Sequence, residues 1–389
     1  MIDVHALWTR MQAWAAELGF SRIGVSDLDV TDASARLRSW LDAGMHGSMH
    51  YLEDHAELRA QPDRLVPGAV RAVTVRMDYL PRDHPADNDG WRNIEWQRIE
   101  DQGAATVSVY ARGRDYHKVM RARLQQLADR IAADVGPFGH RAFTDSAPVL
   151  EVEMASRSGL AWRGKHTLAL SRDAGSMFFL GELFVDLPLE LTPPVDAHCG
   201  TCSACIDICP TRAIVAPYVL DARRCIAYLT IEHDGPIPAQ LRPLIGNRVF
   251  GCDDCQLACP WNKHAQRAVV ADFDPKAWWA GPPPGRSQGG PAPSGGSERS
   301  ERGGTDPRLL ELWQWDERTF LSRTEGTVLR RSGWQRWRRN LAVALGNALR
   351  AGGRDARMIE AALRSAQDGA SALVAEHIAW ALAQAGPGS

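Results

Sequence analysis

The chain reads as a multidomain α+β protein in three parts. Helix-like and strand-like patterns alternate over residues 1–190, all eight cysteines fall between Cys199 and Cys259, and amphipathic helical spacing resumes beyond Pro307. A length of 389 residues allows two or three domains, and 44% hydrophobic content is ordinary for a globular chain. No apolar run reaches the roughly 18 residues that a membrane span needs.

In chain order, Val4 to Leu18 places Leu7, Met11, Trp14, Ala15 and Leu18 at helical spacing and stops at Gly19. Ser21–Val25 and Ala69–Met77 read as strands, the second rich in valine. Asp115 to Val135 reads as a long amphipathic helix through Met120, Leu124, Leu127 and Ile131. Residues 1–190 therefore form an α/β or α+β domain large enough for a sizeable cofactor.

The cysteines run Cys199-x2-Cys202-x2-Cys205-x3-Cys209-Pro210, then Cys225, then Cys252-x2-Cys255-x3-Cys259-Pro260. Three thiolates within seven residues wrap one cubane, and a fourth followed by proline points to a second cluster. The spacing predicts a ferredoxin-like module over residues 191–270 with two [4Fe-4S] clusters. Cys199, Cys202, Cys205 and Cys259 hold the first; Cys209, Cys225, Cys252 and Cys255 hold the second. Disulfides fit poorly because the N-terminus resembles no signal peptide, so a reducing cytoplasm is expected. Zinc sites usually pair Cys-x2-Cys with a second such pair.

Residues 278–306, dense in Gly, Pro and Ser, should be a disordered excursion. Over 307–389 the repeated apolar positions Leu341, Leu345, Leu349, Ile359, Leu363, Leu373, Val374, Ile378 and Leu382 suggest a HEAT-like α-helical cap. Between Phe320 and Arg357 nine arginines face two acids, an excess of seven charges, interleaved with Trp334 and Trp337. Such a patch suits phosphate contacts and equally a solvated helix face. No dinucleotide-binding or P-loop glycine motif is present. Low-potential clusters then need an external electron donor of the flavodoxin or ferredoxin type.

Three polar segments mark the first domain: Tyr110 to Lys118, Thr144 to Glu151 and Gly159 to Leu168. Asp145 or Ser146 fits a helix N-cap as well as a catalytic acid, and the loop carrying Lys165 and His166 is either a turn or a face toward a polar cofactor.

Taken together with the cysteines, these segments carry a resemblance. Arg59-x-x-Pro62, Leu65-x-Pro67-Gly68, Gly113-Arg-Asp-Tyr-His117, Asp145-Ser-Ala-Pro-Val-Leu-Glu151, Gly164-Lys-x-Thr167, Phe178-Phe-Leu-Gly-Glu-Leu183, Arg330-Arg-x-Gly333 and Arg339-Asn340 to Asn347 make the chain resemble the epoxyqueuosine reductases. The resemblance implies a monomeric cytoplasmic enzyme whose first domain, nitroreductase- and dehalogenase-like, binds cob(II)alamin. It implies reduction of epoxyqueuosine to queuosine at the wobble position of tRNA, the last step of queuosine synthesis. It also places the proton donor at Asp145 and cobalamin contacts at Arg59, Ser108, Asp145, His166, Ala169, Ala227, Cys252 and Asp253. Asp-x-His-x-x-Gly, which supplies a histidine to cobalt, is missing: Asp3-x-His5 is followed by Trp8. Burial beside an apolar ring is expected to raise the Asp145 pKa and keep it protonated. Arg330, Arg331, Arg338 and Arg339 are the expected phosphate contacts to tRNA. A corrinoid reductase for halogenated organics, an electron carrier and a zinc-stapled RNA-binding module are the rival readings.

Overall fold

The computed structural model describes residues 3–83, 90–280, 307–352 and 354–386. Helix α1 (Val4–Glu17) is capped by Asp3, whose carboxylate accepts the Ala6 N–H, and it buries Leu7, Met11 and Ala15. Four strands follow at intervals: β1 (Arg22–Ser26), β2 (Arg71–Asp78), β3 (His140–Phe143) and β4 (Phe178–Val185). They form one sheet in the order β1-β2-β4-β3, and every pairing is antiparallel. The α/β arrangement expected for this part is therefore corrected to α+β. Strands β1 and β2, and β3 and β4, are antiparallel neighbours, whereas β2 and β3 run parallel on either side of β4 and are joined by a crossover that contains helix Tyr116–Val135.

Helix α2 (Tyr116–Val135) starts at Asp115, which caps the His117 N–H, and ends at Gly136 with φ of 89°. Its stripe of Met120, Leu124, Leu127 and Ile131 is fully buried against the sheet. Each such side chain contributes about 1.5–3 kcal/mol of apolar burial. Helix α3 (Glu151–Arg157) follows β3 and closes at Gly159, φ 75°, where a Cβ would lie 2.2 Å from the Pro193 carbonyl oxygen.

The cysteine segment is built from turns and short helices, among them α4 (Ile226–Ile231). A strand at Arg248–Phe250 pairs in parallel with Thr106–Val107, joining the segment to the first part of the chain. The C-terminal region packs α5 (Gly333–Ala351), α6 (Ala356–Gln367) and α7 (Ala372–Leu382), with Leu341, Leu345, Leu363 and Ile378 fully buried. No helix among the described residues is long and apolar enough to cross a membrane.

The Gly/Pro/Ser-rich stretch begins later than the sequence suggests. Trp278 and Trp279 belong to the packed part: Trp279 is 2% exposed and lies under the Arg112 guanidinium at 4.9 Å. Positions 281–306 lie outside the described residues.

Candidate active site

One cavity of about 420 Å³ runs between the sheet domain and the cysteine segment. The loop after β3 brings Asp145 to it with φ of 53°, a left-handed backbone that a non-glycine residue holds only where its surroundings fix it. The cap position of α3 is Leu150 and makes no side-chain cap, so the N-cap reading of Asp145 or Ser146 does not hold. The Asp145 side chain is 53% accessible and opens on the cavity.

Its partners come from the start of α2. His117 Nε2 lies 2.9 Å from Asp145 Oδ2, and the Tyr116 hydroxyl donates to the same oxygen. His117 Nδ1 in turn lies 2.8 Å from Asp115 Oδ1. Burial alone would lift the Asp145 pKa, but the hydrogen bonds from His117 and Tyr116 outweigh it and hold the carboxyl below its usual range. His117 moves up, since Asp115 and Asp145 outweigh its burial. This corrects the expectation of a protonated Asp145: the contacts push Asp145 toward its ionised form and His117 toward its protonated one. Tyr116 is fixed by stacking on Phe179, ring centroids 4.1 Å apart.

His166 is 3% exposed, and burial lowers its pKa to about 4, so the ring is neutral. Its Nδ1 accepts the Leu168 N–H, which leaves Nε2 as a buried N–H donor without a partner in the cavity wall. Ser108 is engaged elsewhere: its hydroxyl and the Val109 N–H both donate to Asp253. Gly251, φ 75°, passes Ser108 so closely that a Cβ would come within 2.6 Å, which explains a glycine immediately before Cys252.

All eight cysteines are free thiols. Cys259 lies within electrostatic reach of Cys205, Cys199 and Cys202; Cys225 of Cys209; and Cys255 of both Cys225 and Cys205. Cys209, Cys225, Cys252 and Cys255 all line the cavity, whereas Cys202 is exposed. Among the described residues no three thiol sulfurs lie within 4.8 Å of one another.

A sequence model described as "4Fe-4S double cluster binding domain" matches residues 198–262, and one described as "Epoxyqueuosine reductase QueG, DUF1730" matches residues 59–146. The chain is 57% identical to the epoxyqueuosine reductase of Alicycliphilus denitrificans over 386 residues, covering 99% of both chains. The chain belongs to the epoxyqueuosine reductase family. Its fold is that of the Bacillus subtilis epoxyqueuosine reductase solved with a catalytic aspartate loop swung out of the active site (TM-score 0.80, 23% identity, 99% of this chain and 92% of that one). It is equally that of an epoxyqueuosine reductase solved with an epoxyqueuosine-modified tRNA-Tyr stem loop (TM-score 0.76, 22% identity, 98% and 99% covered).

For an epoxyqueuosine reductase the cavity gathers most of the expected contacts. Ser108, Asp145, His166, Ala169, Ala227, Cys252 and Asp253 line it. Arg59 does not; it is buried and donates to the Tyr51 and Leu52 carbonyls. The expected tRNA arginines divide. Arg330 and Arg331 are exposed, and Arg331 Nη1 lies 2.9 Å from His117 Nε2. Arg339 is fully buried and donates to the Leu229, His233 and Gly235 carbonyls, so it is corrected from a phosphate contact to a packing residue. Arg338 is half-buried: its guanidinium lies 3.3 Å over the Trp313 ring and donates to the Trp313 carbonyl. Sequence reasoning assigned no role to Tyr116, His117 and Glu151, although each sits in a polar segment it had singled out.

Proposed function

We propose that this reductase converts epoxyqueuosine to queuosine in the anticodon loop of tRNA, with cobalamin and two [4Fe-4S] clusters as resident cofactors. The observation that carries the reading is the cavity itself, whose wall holds Asp145 together with the four thiols assigned to the second cluster. The unpartnered His166 N–H and the flanking apolar side chains Leu168, Phe178, Leu180 and Ile226 suit a large ring with polar amides at its rim. When bound, cobalamin supplies a reduced metal centre able to displace an epoxide oxygen from carbon, and the clusters supply single electrons from an external low-potential donor.

The chain's own part is positioning and proton transfer. Asp145, held by Tyr116 and His117, faces the oxygen that takes up negative charge as the ring opens. The proton shared by His117 and Asp145 meets that charge as it develops. Asp253, fixed by Ser108 and Val109, sets the turn that presents Cys252 to the cavity. The exposed Arg330 and Arg331 are the residues assigned to the phosphates of a bound anticodon loop, leaving specificity to the modified base.

In this reading residues 1–190 bind cobalamin, 191–270 carry the clusters and 307–389 form a HEAT-like tRNA-binding region of a cytoplasmic monomer. Mass analysis of tRNA nucleosides after anaerobic incubation with the reduced protein tests it: queuosine should form, and unchanged epoxyqueuosine would overturn it. An anaerobic visible spectrum should show clusters plus corrinoid, where a simple carrier shows clusters alone and a zinc protein no colour.

Two further outcomes are expected. Cys225→Ser should remove about half of the bound iron and sulfide, read by chemical analysis; full retention would return Cys225 to a bystander thiol. The double variant Arg330→Ala/Arg331→Ala should weaken tRNA stem-loop binding and lower its salt slope by about one unit per lost phosphate contact. An unchanged slope would assign both residues to a solvated face.

A further inference from the structure

Taking an epoxide oxygen away as water needs two electrons and two protons. One proton meets the oxygen as the ring opens, and a second meets the resulting hydroxyl as it leaves and the double bond forms. The His117–Asp145 pair holds one of these protons.

Directly behind that pair lies acid that the proposed mechanism leaves unused. Glu182 sits in the middle of β4, opposite Thr74 of β2 and Phe143 of β3, and is fully buried. Among the described residues its carboxyl oxygens have no donor besides the neighbouring acid Glu151, and the Thr74 hydroxyl across from it has no partner. Glu151, the first residue of α3, lies against Glu182 on one side. On the other it lines the cavity and accepts the Asp145 backbone N–H. The charged groups felt by Glu182 are Glu151 and Asp145, and Glu151 feels His117 besides. Two adjacent acids enclosed without a directly paired cation do not both ionise. Burial first and the neighbouring carboxylates second push Glu151 up to about 8 and Glu182 well above the carboxylate range.

We propose that Glu151 and Glu182 are a stored-proton pair that delivers the second proton of the reaction. Once the His117 proton has been given up through Asp145, Glu151 passes its proton to the Asp145 carboxylate, and Glu182 refills Glu151. Asp145 then protonates the departing hydroxyl, and the His117–Asp145 pair and the glutamate pair, each one proton short, are both refilled from solvent through the cavity after product release. No electron moves in this relay; both come from the low-potential donor. Glu182 acts only through Glu151, and the inference rests on Asp145 being the acid that meets the oxygen.

The test is Glu182→Gln in the holoenzyme, assayed on an epoxyqueuosine-bearing tRNA stem loop. The expected result is a fall in kcat of about tenfold or more with KM unchanged, deepening as pH rises above neutrality and relieved in acid. At neutral pH the infrared difference spectrum of wild type against variant should show the carbonyl band of a protonated carboxyl group that shifts in D2O. A wild-type pH profile, a loss equal at every pH, or no such band would overturn the proposal. If Glu182→Gln fails to retain clusters, Glu151→Gln is read in the same way. An active Asp145→Asn would sink the acid reading itself, whereas an inert Asp145→Asn beside a wild-type-like Glu182→Gln removes the relay alone.

Discussion

Asp145→Asn is expected to lower kcat by about 10²–10⁴-fold, the usual contribution of a positioned acid, with cluster and corrinoid absorption unchanged. The amide keeps the volume of the carboxyl and can still accept from Tyr116, so the loop has no steric reason to move. What disappears is the negative partner of His117. Asp115 and Asp145 together raise the His117 pKa from 6.5, and removing one of them lets it fall. Stopped-time conversion of a tRNA stem loop, with nucleosides measured by mass, reads the effect; wild-type turnover would strip Asp145 of its role.

The same pair fixes a pH dependence in opposite senses for its two members. The raised His117 pKa gives a contribution to stability that is complete below about 6.5 and is lost as pH rises through the folded value. The depressed pKa values of Asp115 and Asp145 give contributions present above 3.8, lost as pH falls through their folded values. The ion pairs are complete only between these limits, whereas the proton-carrying form of His117 persists at lower pH and is lost only on the alkaline side. Activity should fall on the alkaline side at a pH that moves down in Asp145→Asn, if enough turnover remains to follow it.

What could be read in the sequence divides along physical lines. Helices α1 and α2 were legible because each buries a continuous apolar stripe, and both begin within a residue of where the spacing puts them. The cysteine spacing made a double-cluster segment legible, in agreement with the match over residues 198–262, while the division of the thiols into two sets of four belongs to the proposed function. The protonation of Asp145 was not legible. The neighbours that decide it, Tyr116 and His117, lie 29 and 28 residues away, and burial alone argues for the wrong sign. Glu182 gave no signal either: in Phe178–Val185 it is one polar residue in an apolar strand, and only the sheet order puts Glu151 against it. Arginine-rich composition was a poor guide for the same reason, because a helix with charge all along it still has a buried face.

Arg339 shows how far that last point reaches. Arg339→Met should cost on the order of 3–5 kcal/mol, because charge-assisted hydrogen bonds are worth about 1.5–3 kcal/mol and three carbonyls would be left without their donor. The Leu229, His233 and Gly235 carbonyls all lie in or just after α4, and Asn340 extends the same seam by donating to the Thr230 and Val249 carbonyls at 2.8 and 2.9 Å. Helix α5 is thus stapled onto the cysteine segment through side chains that mimic backbone pairing. Thermal unfolding should fall by about 10 °C, against little change for exposed Arg330→Ala. Binding of a tRNA stem loop separates the two roles further. Arg339→Met would weaken it by displacing α5 while leaving the salt slope intact, because no phosphate contact is removed. Loss of affinity with a reduced salt slope and an unchanged melting temperature would instead put the Arg339 guanidinium on the RNA, and its burial under α4 would have to open for that to occur.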